Sequence, residues 1–163
     1  MKETWVVNAS PLISLAKIGR LDLLREAERE LLIPAAVATE ILAGPADDPA
    51  SVALTAGELP DPVPSVSRIE VVEWGLGAGE TAVLSQALDR GATAVIDDGE
   101  ARTAARSLGV RFIGTLGVVI RARKEGRILP SDVLLFFSAL DPEQRNNRPA
   151  SCVTGVISSM NAI

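Results

Sequence analysis

Acidic and amide side chains stand at four separated junctions of this chain, each where an apolar run ends or a helix begins. Asn8 lies in VVNASPLISLA (6–16), Glu40 in PAAVATEIL (34–42), Glu80 in GLGAGETAVLSQAL (75–88), and Asp97 and Asp98 in AVIDDGEAR (94–102). Brought to one place, these groups would form a pocket of oxygens with no obvious cation partner in the same segments apart from Arg102. Such a donor set suits a hard divalent ion. The adjacent pair Asp97-Asp98 is the strongest signal, because two neighbouring carboxylates repel and want a cation or several N–H donors. One of them could instead cap the helix that starts at Gly99, but capping needs only one. Asn8 and Ser10 taken alone are ordinary capping types. Glu40 is expected within an apolar helix face, with Val37 and Ile41, where an ionised carboxylate is costly unless paired. Glu80 follows a glycine turn at a helix start, where the dipole favours any acid. The GLGAG turn lacks a P-loop lysine and the full GxGxxG spacing, so it does not read as a phosphate cradle.

Composition removes several alternatives. The chain has 163 residues and no histidine, so a Ser-His-Asp triad, a Cys-His pair and an imidazole-ligated zinc are all excluded within it. Tyrosine is absent too, and the single Cys152 cannot form an internal disulfide. Acid–base chemistry then falls to carboxylates, lysines or a metal ion. Mean hydropathy is +0.26, yet no apolar run approaches the ~18–20 residues of a membrane helix. With no signal-peptide layout at the N-terminus, a soluble cytoplasmic protein away from membranes is the expectation.

Net charge is −5, but its distribution is uneven. Gly99–Arg127 holds Arg102, Arg106, Arg111, Arg121, Arg123, Lys124 and Arg127 against Glu100 and Glu125, seven basic groups against two acidic ones. Only the local field matters to a docking phosphate, since charges beyond ~8–10 Å are screened. That segment is either a solvated basic face or a nucleic-acid surface.

The elements that would position these groups alternate. Strands are predicted at Thr4–Asn8, Leu31–Ile33, Ile69–Val72, Thr93–Ile96 and Val110–Ile113. Helices are predicted from Ser10 to Gly19, over Arg20–Arg29, after Pro34, near Ala50–Ala56, over Glu80–Asp89 and Asp97–Leu108, from Thr115 to Lys124, and from Pro130 or Ser131 through Leu140. Gly44–Ser67, with five prolines, is mostly loop. This alternation predicts an α/β domain, a three-layer α/β/α sandwich around a mostly parallel sheet. Functional groups in such sheets gather beyond the carboxyl ends of the strands, where Asn8, Asp97 and Asp98 lie. One domain is expected over residues 1–140, with 141–163 an atypical, loosely packed tail.

The stretches VVNASPLISLAKIGRLDLL, LLIPAAVATEIL, LGAGETAVLSQALDRGATAVIDDGEARTAARSLGV and FIGTLGVVIRARKEG resemble, in this order, the PIN-domain nucleases. They are most similar to the PIN-like branch known mainly as prokaryotic hypothetical proteins and related to VapC-type toxins. The resemblance implies an endoribonuclease dependent on Mg²⁺ or Mn²⁺, with RNA as substrate, a small antitoxin protein as partner and a homodimer as assembly. It maps the acidic quartet onto Asn8, Glu40, Glu80 and Asp98, with Asp97 a fifth metal-site group and Ser10 the small hydroxyl near the first position. Flanking phosphates would fall to Ser10, Arg102, Arg106, Arg121, Arg123 and Lys124. Asn8 stands where most PIN nucleases carry aspartate, removing one charge from the site. A second reading is therefore a PIN fold with weak or no catalysis that binds RNA or a partner protein. A receiver-like phospho-acceptor fits poorly, because its acidic pair should follow the first strand and Phe112–Thr115 lacks its lysine.

Overall fold

The computed structural model describes residues 2–139, so the expected tail at 141–163 lies outside the described residues. Packing divides the chain into two compact units, Met1–Thr115 and Leu116–Ile163. The first contains four strands: β1 (Glu3–Val7), β2 (Arg29–Leu32), β3 (Thr93–Val95) and β4 (Arg111–Ile113). They form one all-parallel sheet in the order β2-β1-β3-β4. The β-branched and aromatic composition of β1 suits it to the buried centre, and Trp5, Val6 and Val7 are all covered.

Helices α1 (Ala9–Lys17), α2 (Ala35–Leu42), α3 (Pro49–Thr55), α4 (Ile69–Val72), α5 (Ala78–Arg90) and α6 (Gly99–Ser107) complete this unit. From β1 the sheet grows one way to β2 and the other way to β3 and β4. Right-handed crossovers then put α1 on one face and α5 and α6 on the other, which is the three-layer arrangement. In keeping with this, α5 packs on β1 and β3, and α6 packs on β4 and α5. The reversal of direction occurs between β1 and β3. Their carboxyl ends are therefore the switch point where such sheets build binding crevices, and Asn8 and Asp97 are the residues that emerge there.

Two sequence expectations are corrected. Ile69–Val72 is the single helical turn α4 and not a strand. A short apolar run does not distinguish the two by itself, and here the segment packs against α5. The Arg68 backbone N–H donates to Ser85 Oγ of α5 at 3.0 Å, Val71 is buried, and Ile69 and Val72 stay exposed. Arg20–Arg29 is likewise no helix. A 3-10 turn at Leu21–Leu24 buries the adjacent Leu23 and Leu24, and Arg29 already belongs to β2.

In the second unit, α7 continues from Thr115 to Lys124 and α8 spans Pro130–Ala139. Among the described residues, no helix is long and apolar enough to cross a membrane.

Candidate metal centre at the carboxyl ends of the strands

Asn8 leaves β1 with its backbone N–H donating to Val95 O of β3 at 3.1 Å. It occupies the N-cap position of α1, yet its side chain makes no capping bond. Instead Nδ2 donates to Glu80 Oε1 at 3.0 Å. That orientation is the sensible one for the amide, since the opposite flip would set two oxygens against each other. Oδ1 is then buried without a hydrogen-bond partner in a residue only 3% exposed. An orphaned buried acceptor of this kind costs ~1–3 kcal/mol unless something completes it.

Glu40 and Gly79 show where that acceptor points. Glu40 does not lie on the apolar face of α2 as the segment pattern implied. Val37, Ala38 and Ile41 are buried, whereas Glu40 runs along the exposed flank. Its carboxylate nevertheless reaches over the first turn of α5. A Cβ placed on Gly79 would stand 2.5 Å from Glu40 Oε2 and 2.9 Å from Asn8 Oδ1. The two oxygens therefore share the space that the missing side chain leaves. Gly77 does the same for Glu80, whose Oε2 would be 2.5 Å from a Cβ there. Partial burial, and then the neighbouring Glu80, push the Glu40 carboxyl above its ordinary value of 4.5.

Asp97 follows β3 on the other side of the switch point, and it is well supplied with donors. Its Oδ1 accepts the Thr115 backbone N–H at 2.9 Å and Arg102 Nη2 at 3.4 Å. Its Oδ2 accepts the Thr115 hydroxyl and, at 3.5 Å, the Ser10 hydroxyl. Ser10 lies within α1 and does not cap it. Asp98 is exposed and acts as the N-cap of α6, its Oδ1 accepting the Ala101 N–H at 2.8 Å.

Thus Asn8, Glu40 and Glu80 come together, Asp97 stands beside them with its own network, and Asp98 is engaged in capping. Among the described residues no three acidic side chains form a ready-made cage. The donor set still fits a divalent cation, because it is all oxygen, it carries excess negative charge, and one buried acceptor lacks a partner. Asn8 Oδ1, Glu40 and Glu80 would hold such an ion, with Asp97 adjacent.

A family model described as PIN domain matches residues 4–155. The chain belongs to the PIN-domain family. No curated protein matches it. Membership makes this a nuclease-type fold from a family that generally uses divalent metal ions and suggests an RNA-related function.

The basic residues proposed for phosphate contact fall into two groups. In the unit that carries the acids, Arg102 also donates through Nε to Ile96 O at 3.1 Å. Arg106 is exposed and stacks over Phe112 at 5.2 Å from the ring centroid. Arg121, Arg123 and Lys124 lie on α7 beyond Leu116, with Arg121 paired to Glu125 at 3.0 Å.

Sequence reasoning missed Thr115 and the glycines 77, 79 and 114. A Cβ at Gly114 would strike the Arg102 guanidinium and stand 3.0 Å from Asp97 Oδ1, so any larger residue there would displace the Arg102 side chain. The GLGAG run was the available signal for the first two. Its glycines make room for carboxylates, and no phosphate role is needed to account for them.

Proposed function

We propose that this PIN-domain protein is a Mg²⁺- or Mn²⁺-dependent endoribonuclease. The observation that carries the reading is the buried, unpartnered Oδ1 of Asn8, set beside Glu40 at the switch point of the sheet. A divalent ion bound there would polarise a phosphodiester and acidify the attacking water. Asn8, Glu40 and Glu80 supply the oxygens that hold it. Asp97, Ser10 and Thr115 form the neighbouring wall, and Arg102 and Arg106 offer positive charge to the strand. Asp98 caps α6 through Oδ1 alone, so its Oδ2 is left to join the ligands. A role as the toxin of a toxin–antitoxin pair in the cytoplasm, working as a homodimer, follows from the family resemblance. The exposed Leu42, Val52, Ile69 and Val72 offer apolar surface for a small antitoxin or a second copy.

Asn8→Asp is the decisive variant. It replaces the amide donor to Glu80 with a carboxylate, so without metal the protein should lose ~1–3 kcal/mol of stability. Mn²⁺ should restore that loss, bind more tightly than to wild type, and speed cleavage of a single-stranded RNA. A variant that melts early, gains nothing from Mn²⁺ and cleaves nothing would favour the second reading, a PIN fold that binds RNA or a partner without catalysis.

A further inference from the structure

We propose that Arg102 serves as the second cation of the pocket, so that the site takes one divalent ion and not two. The inference rests on the metal-dependent reading above and specifies its charge. Glu40, Glu80 and Asp97 contribute three formal negative charges, and Asn8, at the remaining corner, contributes none. Arg102 offsets one of the three, leaving a deficit that a single divalent ion neutralises. Asp98 is left out of this sum because it is exposed, so solvent screens its charge.

Asp97 decides between one ion and two. Two-ion sites hold their metals ~3.5–4 Å apart, so a second ion would have to draw on the oxygens of Asp97 as well as those of Glu40 and Glu80. A carboxylate has about four lone-pair sites. All four at Asp97 face a donor, Thr115 N–H and Thr115 Oγ closely, Ser10 Oγ at 3.5 Å and Arg102 Nη2 at 3.4 Å. A second ion would have to displace one of these donors. On the other side of the pocket, Asn8 Oδ1 has no donor at all. The shortage of positive charge is therefore local to the Asn8, Glu40 and Glu80 side.

The backbone is shaped around Arg102. Its guanidinium fills the space that a side chain at position 114 would need, and Nε is tied to Ile96 O. The side chain is still 34% exposed. A guanidinium carries five N–H donors in a rigid fork, and Ile96 O and Asp97 use two of them. The others are available to a phosphate oxygen, with the fork held in place before substrate arrives. Charge stabilisation of this preorganised kind is worth ~10²–10³-fold in kcat. Arg102 is thus assigned as a residue that touches substrate, in the place a second ion would otherwise fill.

The test is Mn²⁺ titration of the full chain, read by electron paramagnetic resonance and calorimetry, beside RNA cleavage. Wild type should bind one Mn²⁺ per chain. Arg102→Met should take up a second, weaker Mn²⁺ as Asp97 loses its counterion, and its kcat at saturating Mn²⁺ should fall ~10²–10³-fold. Arg102→Lys, which keeps the charge but not the fork, should remain at one ion with an intermediate kcat. Two ions in wild type would overturn the inference and leave the nuclease reading standing. No Mn²⁺ binding in wild type would overturn both. One ion in Arg102→Met with unchanged kcat would also overturn the inference. If circular dichroism shows that Arg102→Met does not fold, the wild-type stoichiometry and Arg102→Lys decide.

Discussion

Arg29 and Asp97 occupy opposite ends of the same sheet, and each carries a charge out of water. At the amino end, the Arg29 side chain is 1% exposed and set among compensating groups. Its guanidinium lies 3.5 Å from the centroid of the Trp5 ring. It pairs with Glu26 at 2.9 Å and Glu3 at 3.6 Å. A buried cation is tolerated when it is stacked and matched in this way. The carboxyl end follows a different rule. Asp97 is matched, but among the described residues neither Glu40 nor Glu80 pairs with a basic side chain, and Asn8 Oδ1 accepts no hydrogen bond. A fold built only for stability would not leave one end of its sheet neutralised and the other in deficit. The deficit sits at the end where parallel sheets place their ligands.

The largest effect should come from the neutralised end. Trp5→Ala removes a fully buried ring and the platform under Arg29, at a cost of ~3–5 kcal/mol. Denaturant melts should show that loss, while Mn²⁺ affinity of the folded fraction stays at the wild-type value. If affinity also dropped, the two ends would not be independent. Thr115→Val comes next. Thr115 is 0% exposed, and the near-isosteric change leaves Asp97 Oδ2 short of its main donor, which should cost ~1–3 kcal/mol. The Mn²⁺ stoichiometry of that variant tests whether Asp97, once relieved of a donor, begins to bridge.

The fold was legible because apolar runs alternate with capped helical stretches, and alternation alone dictates a parallel sheet. The identities of Asn8, Glu40, Glu80, Asp97 and Asp98 as oxygen-bearing groups at element ends were legible for the same reason. The division of labour between Asp97 and Asp98 was not. It depends on Thr115, 18 residues further along, and no local pattern tells which of two adjacent aspartates will cap a helix. The helical state of Ile69–Val72 was hidden because its β-branched residues carry a strand preference that tertiary contacts with α5 override. Gly77 and Gly79 read as turn residues, since their need for an absent Cβ appears only once the Glu40 and Glu80 oxygens are in place.

Gly79→Ala crowds both oxygens of the deficit at once. The added methyl meets Glu40 Oε2, the far end of a flexible exposed side chain that can swing away at little cost. It also comes within 2.9 Å of Asn8 Oδ1, which is buried and cannot follow, so the variant should melt lower by about 1 kcal/mol. Among the folded molecules Mn²⁺ affinity should fall roughly tenfold or more, the scale seen when the support of a metal ligand is removed. Equal affinity in Gly79→Ala and wild type would mean that Glu40 is not a ligand.

Glu40 itself gives the smallest and most diagnostic effect. Its folded-state pKa is raised, by partial burial first and by Glu80 second, above the ordinary 4.5 that holds in the unfolded chain. A group raised in this way contributes its stability fully below the unfolded value, and that contribution is lost as pH rises through the folded value. At neutral pH the ionised Glu40 is therefore a net cost to the metal-free protein. Glu40→Gln removes the charge, so it should melt slightly higher than wild type at neutral pH, and the two should converge below pH 4.5. Adding Mn²⁺ at neutral pH should reverse the order, because wild type gains a ligand charge that glutamine lacks. The residue that weakens the empty protein would then be the one that strengthens the loaded one. Thermal melts of both proteins at two pH values, with and without Mn²⁺, decide this. A Glu40→Gln protein stabilised by Mn²⁺ as strongly as wild type would show that the carboxylate is not directed at the ion.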